Sequence, residues 1–151
     1  MEAAEWNIPG RRMKAGKPHR APLSQPALDV LRSMELLRTE TGPVFPGQVL
    51  KRPMTDTALT RPLHRAGRGD LTAHGFRSTF RDWAAEATAY PNHVVEQALA
   101  HAIGNAVEAA YRRGDLFAKR VALMDDWAAY LAQPAAQVVP LRPDQSAWAG
   151  R

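Results

Sequence analysis

The residues best suited to chemistry fall in one stretch, 71–111, LTAHGFRSTFRDWAAEATAYPNHVVEQALAHAIGNAVEAAY. His74, Arg77 and Arg81 recur at i, i+3 and i+7, which is one face of a helix. The two arginines form an i, i+4 pair of like charge, which weakens an isolated helix slightly. Neither has an acidic residue three or four positions away. Such a pair makes sense beside an anion at the helix N-terminus, where backbone N–H groups and the helix dipole favour negative charge. The planar fork of arginine suits phosphate in particular. The opposing reading keeps Arg81 as a solvated cation and His74 as a capping or core histidine. His101 follows the apolar pair Leu99-Ala100, and a lone histidine there is ordinarily structural. His74, His93 and His101 are a conceivable zinc set, but spacings of 19 and 8 match no compact metal motif and the chain has no cysteine. Tyr111 closes the stretch. Its phenol is a weak acid that needs neighbouring cations and a base before it can attack, and residue type alone does not single it out.

These residues need a scaffold to hold them. Phe76, Phe80, Trp83, Ala84 and Ala87 give a helix over 75–88 a continuous buried stripe. Pro91 starts a second helix reaching Ala100 and burying Val94, Val95, Ala98 and Leu99. Asn105 and Glu108 have the spacing of a capping box for a short helix through Tyr111. Gly114 ends it. Asp115 caps a last helix to Ala132, with Phe117, Val121, Met124, Ala128 and Leu131 on one face. Upstream, residues 4–23 read as an irregular hairpin or three-stranded ribbon. Glu5 to Ile8 alternates, Pro9-Gly10 turns, and the proline-bearing return strand 17–23 suits an edge. Its tip, Arg11-Arg12-Met13-Lys14-Ala15-Gly16-Lys17, is cationic. Ser24 and Pro26 open a helix that runs to about Thr41-Gly42. Val44-Phe45 is a short buried segment. Thr55 caps a helix over Asp56–Arg65, with Leu59 and Leu63 toward the core and a kink or split expected at Pro62. The expected fold class is α+β, mainly α-helical, with a small N-terminal antiparallel hairpin packed on a helical bundle. Residues 1–132 form the domain, and 133–151 form a proline-rich, flexible tail without periodicity.

At 151 residues the chain is one domain by length. The absence of cysteine excludes disulfides and fits a reducing compartment. The apolar runs are too short for a membrane span. Of the net charge of +5, all lies in residues 1–70, with twelve Lys/Arg against seven Asp/Glu; residues 71–151 hold eight of each. A polyanion partner accounts for that imbalance, and so does a merely soluble basic surface.

Three pieces in order, Ala73-His74-Gly75-Phe76-Arg77, Leu99-Ala100-His101 and Asn105-Ala106-Val107-Glu108-Ala109-Ala110-Tyr111-Arg112-Arg113, resemble the catalytic domain of tyrosine recombinases of the phage and genomic-island integrase type. Trp6 to Pro9, Arg12-Met13-Lys14 and Pro22-Leu23-Ser24 are similar to that family's hairpin, so the resemblance covers about residues 4–131. It implies that Tyr111 attacks a DNA phosphodiester to give a 3′-phosphotyrosyl link. Arg77 would clamp the non-bridging oxygens, His74 would assist proton transfer, and His101 would contact the scissile phosphate. Lys14, with Lys17 as its rival, would protonate the leaving 5′-oxygen. Arg11, Arg12, Lys17, Arg81 and Arg112 are the expected DNA-backbone contacts. No metal, cofactor or ATP is implied. The implied partners are double-stranded DNA at attachment sites, further copies of the chain on that DNA, and host or phage DNA-bending proteins, in a bacterial cytoplasm at the nucleoid. The family's first catalytic arginine lies upstream of the hairpin and has no counterpart here. The expectation is therefore a truncated integrase with little or no activity alone. Two other readings compete with it: a non-catalytic DNA-binding or assembly module, and a helical protein whose histidines and arginines are structural.

Overall fold

The computed structural model describes residues 4–48, 52–101 and 114–134. Strands β1 (Glu5–Ile8) and β2 (His19–Pro22) form an antiparallel pair, in which Glu5 faces Pro22 and Ile8 faces His19. The tip between them is compact. Arg12 and Met13 donate backbone N–H groups to the carbonyls of Pro9 and Gly10, both at 2.9 Å, around a single 3-10 turn at Gly10–Arg12. Glycine is required there: a Cβ on Gly10 would lie 2.3 Å from the Gly16 carbonyl oxygen, and Gly16 itself has φ +68.

The next segment departs from the sequence pattern in several places. Helix α1 (Gln25–Ser33) buries Leu28 but ends well before Thr41, passing into a 3-10 turn at Glu35–Leu37. Leu36 is 93% exposed there, and Val44 and Phe45, expected to be buried, are exposed as well. Around them the described residues make an isolated bridge between Pro46 and Pro53. A proline cannot donate to a ladder, and among the described residues no sheet covers these side chains. The helix expected over 56–65 is split. A 3-10 turn (Asp56–Ala58) precedes α2 (Thr60–Arg65), and the break falls at Leu59 rather than at Pro62. That puts Pro62 in the first turn of α2, where its missing N–H costs nothing. It also leaves Leu59 exposed, against expectation, with Leu63 half-buried.

The core lies among three later helices: α3 (Ala73–Ala87), α4 (Asn92–Ala98) and α5 (Phe117–Leu131). Phe80, Trp83 and Ala84 of α3 pack with Val94, Val95 and Leu99 at α4 and with Leu123 of α5. The predicted α3 stripe is thus correct only in the middle, since Phe76 is 52% exposed and Ala87 is exposed. The α5 face is turned by about one residue from its expected position. Arg120 and Leu123 are fully buried and Trp127 is partly so, whereas Leu131 is exposed. Trp127 meets Trp83 at 4.9 Å and Phe80 edge-on at 5.5 Å between ring centroids. Edge-on and tilted pairs of this kind add to simple area burial. The mainly helical α+β architecture expected from the sequence is the one observed.

The hairpin is clasped to the start of α5 by charge. Asp115 accepts from Arg20 Nε at 3.0 Å and Nη2 at 3.3 Å, and it pairs with Arg120 Nη2 at 3.2 Å. Its Oδ1 also accepts the Phe117 N–H at 3.2 Å, but the N-cap of α5 is Leu116, so Asp115 stands one residue before the capping position expected for it. Arg20 reaches Glu5 at 3.3 Å and lies 3.9 Å over the Phe117 ring. Arg120 donates to the Asp115 carbonyl at 2.8 Å and to the Arg20 carbonyl. Removing one partner of a buried charge leaves the other uncompensated, at about 3–5 kcal/mol. Asp115→Ala should therefore lower urea-measured stability by about 3 kcal/mol, most of it recovered in Asp115→Ala/Arg120→Met. Asp70→Ala, which breaks only the exposed pair with Arg68, should leave the midpoint unchanged.

Candidate functional site

The site residues fall on α3, on the turn that ends α4, and on the hairpin tip. Helix α3 begins two residues before its predicted start because Thr72 caps it, its Oγ1 accepting the Gly75 N–H at 3.0 Å. His74 is therefore not the cap; it sits exposed in the first turn. Arg77, one turn on, is half-buried and donates through Nη2 to the carbonyl of Leu99. A helix C-terminus carries unsatisfied carbonyls and partial negative charge, so a guanidinium is held there by both hydrogen bonding and dipole.

The end of α4 has a specific form. His101 donates its backbone N–H to the Glu96 carbonyl at 2.9 Å, and Ala100 donates to Gln97 at 3.1 Å. Ala100 has φ +53. This is the Schellman arrangement, with a left-handed residue just past the helix where glycine is usual. His101 is thereby fixed relative to Glu96, and its ring Nδ1 meets Glu96 Oε2 at 2.5 Å. Arg81, from α3, completes the cluster with an ion pair to Glu96 Oε1 at 2.9 Å. Burial pushes the Glu96 carboxyl up. The hydrogen bond with His101 and the charges of Arg81 and His101 outweigh it and hold the group below its usual range.

The sequence-predicted residues thus separate into groups. Arg77, Arg81 and His101 converge on the α4 turn, and His74 lies on the same face of α3 as the arginines. Arg81 is held by an acid, though none stands three or four residues from it in sequence. Lys14 and Lys17 are exposed on the hairpin tip, with Arg11 and Arg12 in its 3-10 turn. Tyr111, Arg112 and the short helix expected from Asn105 lie outside the described residues, as do residues 135–151 of the predicted tail. The described residues include no group of three or more His, Cys, Asp or Glu that could hold a metal ion. Among them, too, no helix is long and apolar enough to cross a membrane. A groove of about 400 Å³ runs between the hairpin base, Gln97 of α4 and the start of α5; no predicted site residue lines it. His19, at its wall, is shifted below its ordinary value by burial and by Arg120, with Asp115 opposing.

Glu96 and Ala100 were missed in the sequence. The signal for Glu96 was its position five residues before His101, which becomes meaningful only once the helix is known to end at Leu99.

The phage integrase family matches residues 1–115. Over 128 residues, 83% of this chain, the sequence is 38% identical to prophage integrase IntA of Escherichia coli. It is 31% identical over 129 residues to prophage integrase IntZ of the same species, and 27% identical over 143 residues to the integrase of Enterobacteria phage P4. The chain spans about a third of the length of these curated relatives. No solved structure matches.

A carboxyl held low in the folded state contributes stability above its unfolded pKa, and that contribution is lost as pH falls through the folded value. The urea midpoint of the wild-type chain should fall on acidification below about pH 5. Because Asp115 is also held low, chiefly by its hydrogen bond with Arg20, the fall should be shallower, not abolished, in Glu96→Gln.

Proposed function

The chain belongs to the phage integrase family, and from that premise we propose that it carries the strand-cleaving part of a site-specific DNA recombinase. The Tyr111 oxygen attacks the scissile phosphorus while the bond to the 5′-oxygen breaks, giving a 3′-phosphotyrosyl link and a 5′-hydroxyl. Lys14 delivers a proton to the leaving oxygen, and His74 assists removal of the phenolic proton. Arg77 stabilises the charge gathering on the non-bridging oxygens, with His101 beside it. The phosphotyrosyl bond conserves the energy of the broken one, so attack by a second strand's 5′-hydroxyl reverses the step. Arg11, Arg12, Lys17, Arg81 and Arg112 contact the DNA backbone, and the basic first half adds a long-range attraction. The partner is double-stranded DNA bearing an attachment site, on which copies of the chain assemble in the bacterial cytoplasm, with DNA-bending proteins as accessories.

The observation that carries this reading is the meeting of Arg77 and His101 at one helix end. They stand 24 residues apart in sequence yet both bond to groups at the end of α4, and a guanidinium and an imidazole brought to one helix end suit a phosphate. Arg77 uses Nη2 for the Leu99 carbonyl, and its guanidinium has further N–H donors to offer.

A second reading, a DNA-binding and assembly module without chemistry, rests on the basic excess of residues 1–70, which attracts a phosphate backbone without requiring any reaction.

A nicked suicide duplex bearing a cognate attachment site separates the two. The proposed reaction predicts a denaturant-resistant protein–DNA adduct that maps to Tyr111, is absent in Tyr111→Phe, and forms at least about 100-fold more slowly in Arg77→Ala. Tight, salt-sensitive binding without an adduct supports the module. No binding at low salt contradicts both.

A further inference from the structure

The contact across a Schellman turn, between the third residue from the helix end and the second residue beyond it, is usually apolar. Here those positions hold Glu96 and His101, a carboxylate and an imidazole 2.5 Å apart. The Glu96 side chain is only 19% exposed, and such burial is tolerated because Arg81 pairs with its charge and the His101 ring hydrogen-bonds to it. The imidazole is thus restrained twice by one residue: its backbone N–H by the Glu96 carbonyl and its ring by the Glu96 carboxylate. The carboxylate is itself held from α3 by Arg81, one turn beyond Arg77.

We propose that Glu96 is a positioning residue for His101, fixing the ring with Nδ1–H toward the carboxylate and leaving Nε2 as the nitrogen presented to the DNA phosphate. This rests on the reading of His101 as a phosphate contact. An ionised carboxylate can only accept, so Nδ1 must carry the proton. A neutral ring held this way has its lone pair on Nε2, and a protonated ring donates from Nε2. A carboxylate behind an imidazole sets tautomer and orientation together, the same physical task that such groups perform behind metal-bound histidines. The His101 side chain stays 42% exposed, so one edge is gripped while the ring remains accessible. Arg81 is drawn into the same device: by anchoring the carboxylate from α3, it ties His101 to the helix that carries Arg77.

Long-range proton–nitrogen correlation spectra of the full chain, with labelled histidine and no DNA, test this directly at about pH 9, where imidazoles are neutral. His101 should show Nδ1 as the protonated nitrogen and Nε2 as the unprotonated one. In Glu96→Ala it should shift toward the Nε2–H form that a free imidazole prefers in water. Gln97→Ala, in the same turn but leaving the Glu96 carboxylate in place, should keep the wild-type tautomer. Should Glu96→Ala fail to fold, Glu96→Asp, whose carboxylate is drawn back by one methylene, should show the same shift in part. An Nε2–H tautomer in the wild-type chain overturns the proposal, as does a tautomer indifferent to residue 96. Because the spectra need no DNA, the two readings can fail separately. An Nδ1–H tautomer without an adduct on Tyr111 sinks the proposed reaction and leaves the positioning of His101 standing; the reverse pattern sinks the positioning alone.

Discussion

The negative end of α4 is the point on which the rest depends. A helix of seven residues leaves several carbonyls without partners, and every group brought to this one is a donor or a cation. Backbone N–H groups of Ala100 and His101 close two of the carbonyls, and Arg77 takes a third. Arg81 and the His101 ring then gather on the Glu96 carboxylate of the last turn. The requirement for this geometry is visible in Ala100, which accepts a left-handed backbone that costs roughly 1–2 kcal/mol for a residue with a Cβ. The same contacts that terminate the helix therefore also draw together the arginines and the histidine.

A second electrostatic arrangement positions the hairpin. Asp115 sits between Arg20 and Arg120, and through them β2 is tied to the first turn of α5. Arg120 is wholly buried, so its charge must be matched locally, and Asp115 together with two carbonyls does so. The clasp fixes the base of the hairpin. The tip gains its shape separately, from the close approach of Gly10 and Gly16, and presents Lys14 beyond it. The two arrangements share a logic: each uses one acidic residue to join two basic ones from elements distant in sequence. Joining them is the α3–α4–α5 core, where Phe80, Trp83, Val94, Val95 and Leu123 cluster and Trp127 packs against them.

Much of this was legible in the sequence wherever local spacing decides the outcome. The hairpin, the middle of α3 and the buried face of α4 follow from alternation and from the 3.6 period. What was not legible depends on partners far away in the chain. Arg81 looked unpaired because helix spacing sees only three or four residues, whereas its acid lies fifteen residues on, across a helix–helix contact. The face of α5 was misjudged because hydropathy marks Arg120 as a surface residue, and its burial turns the helix so that Leu123 points inward and Leu131 outward. Phe76, Val44 and Leu59 were placed inside on residue type, but they are exposed among the described residues. The turn at Ala100 was hidden by the absence of glycine. Tyr111 was singled out by resemblance to a family and not by any physical pattern.

If the α4 terminus is a preformed, arginine-braced seat for His101, it must be ordered before any DNA arrives. Amide hydrogen exchange of the DNA-free chain measures this most directly, because the His101 N–H is the donor of the closing bond of the turn. Its protection should match that of the Leu99 amide inside the core and should fall in Arg77→Ala/Arg81→Ala. Exchange of the His101 amide at the rate of an unstructured chain, with Leu99 still protected, would contradict the account.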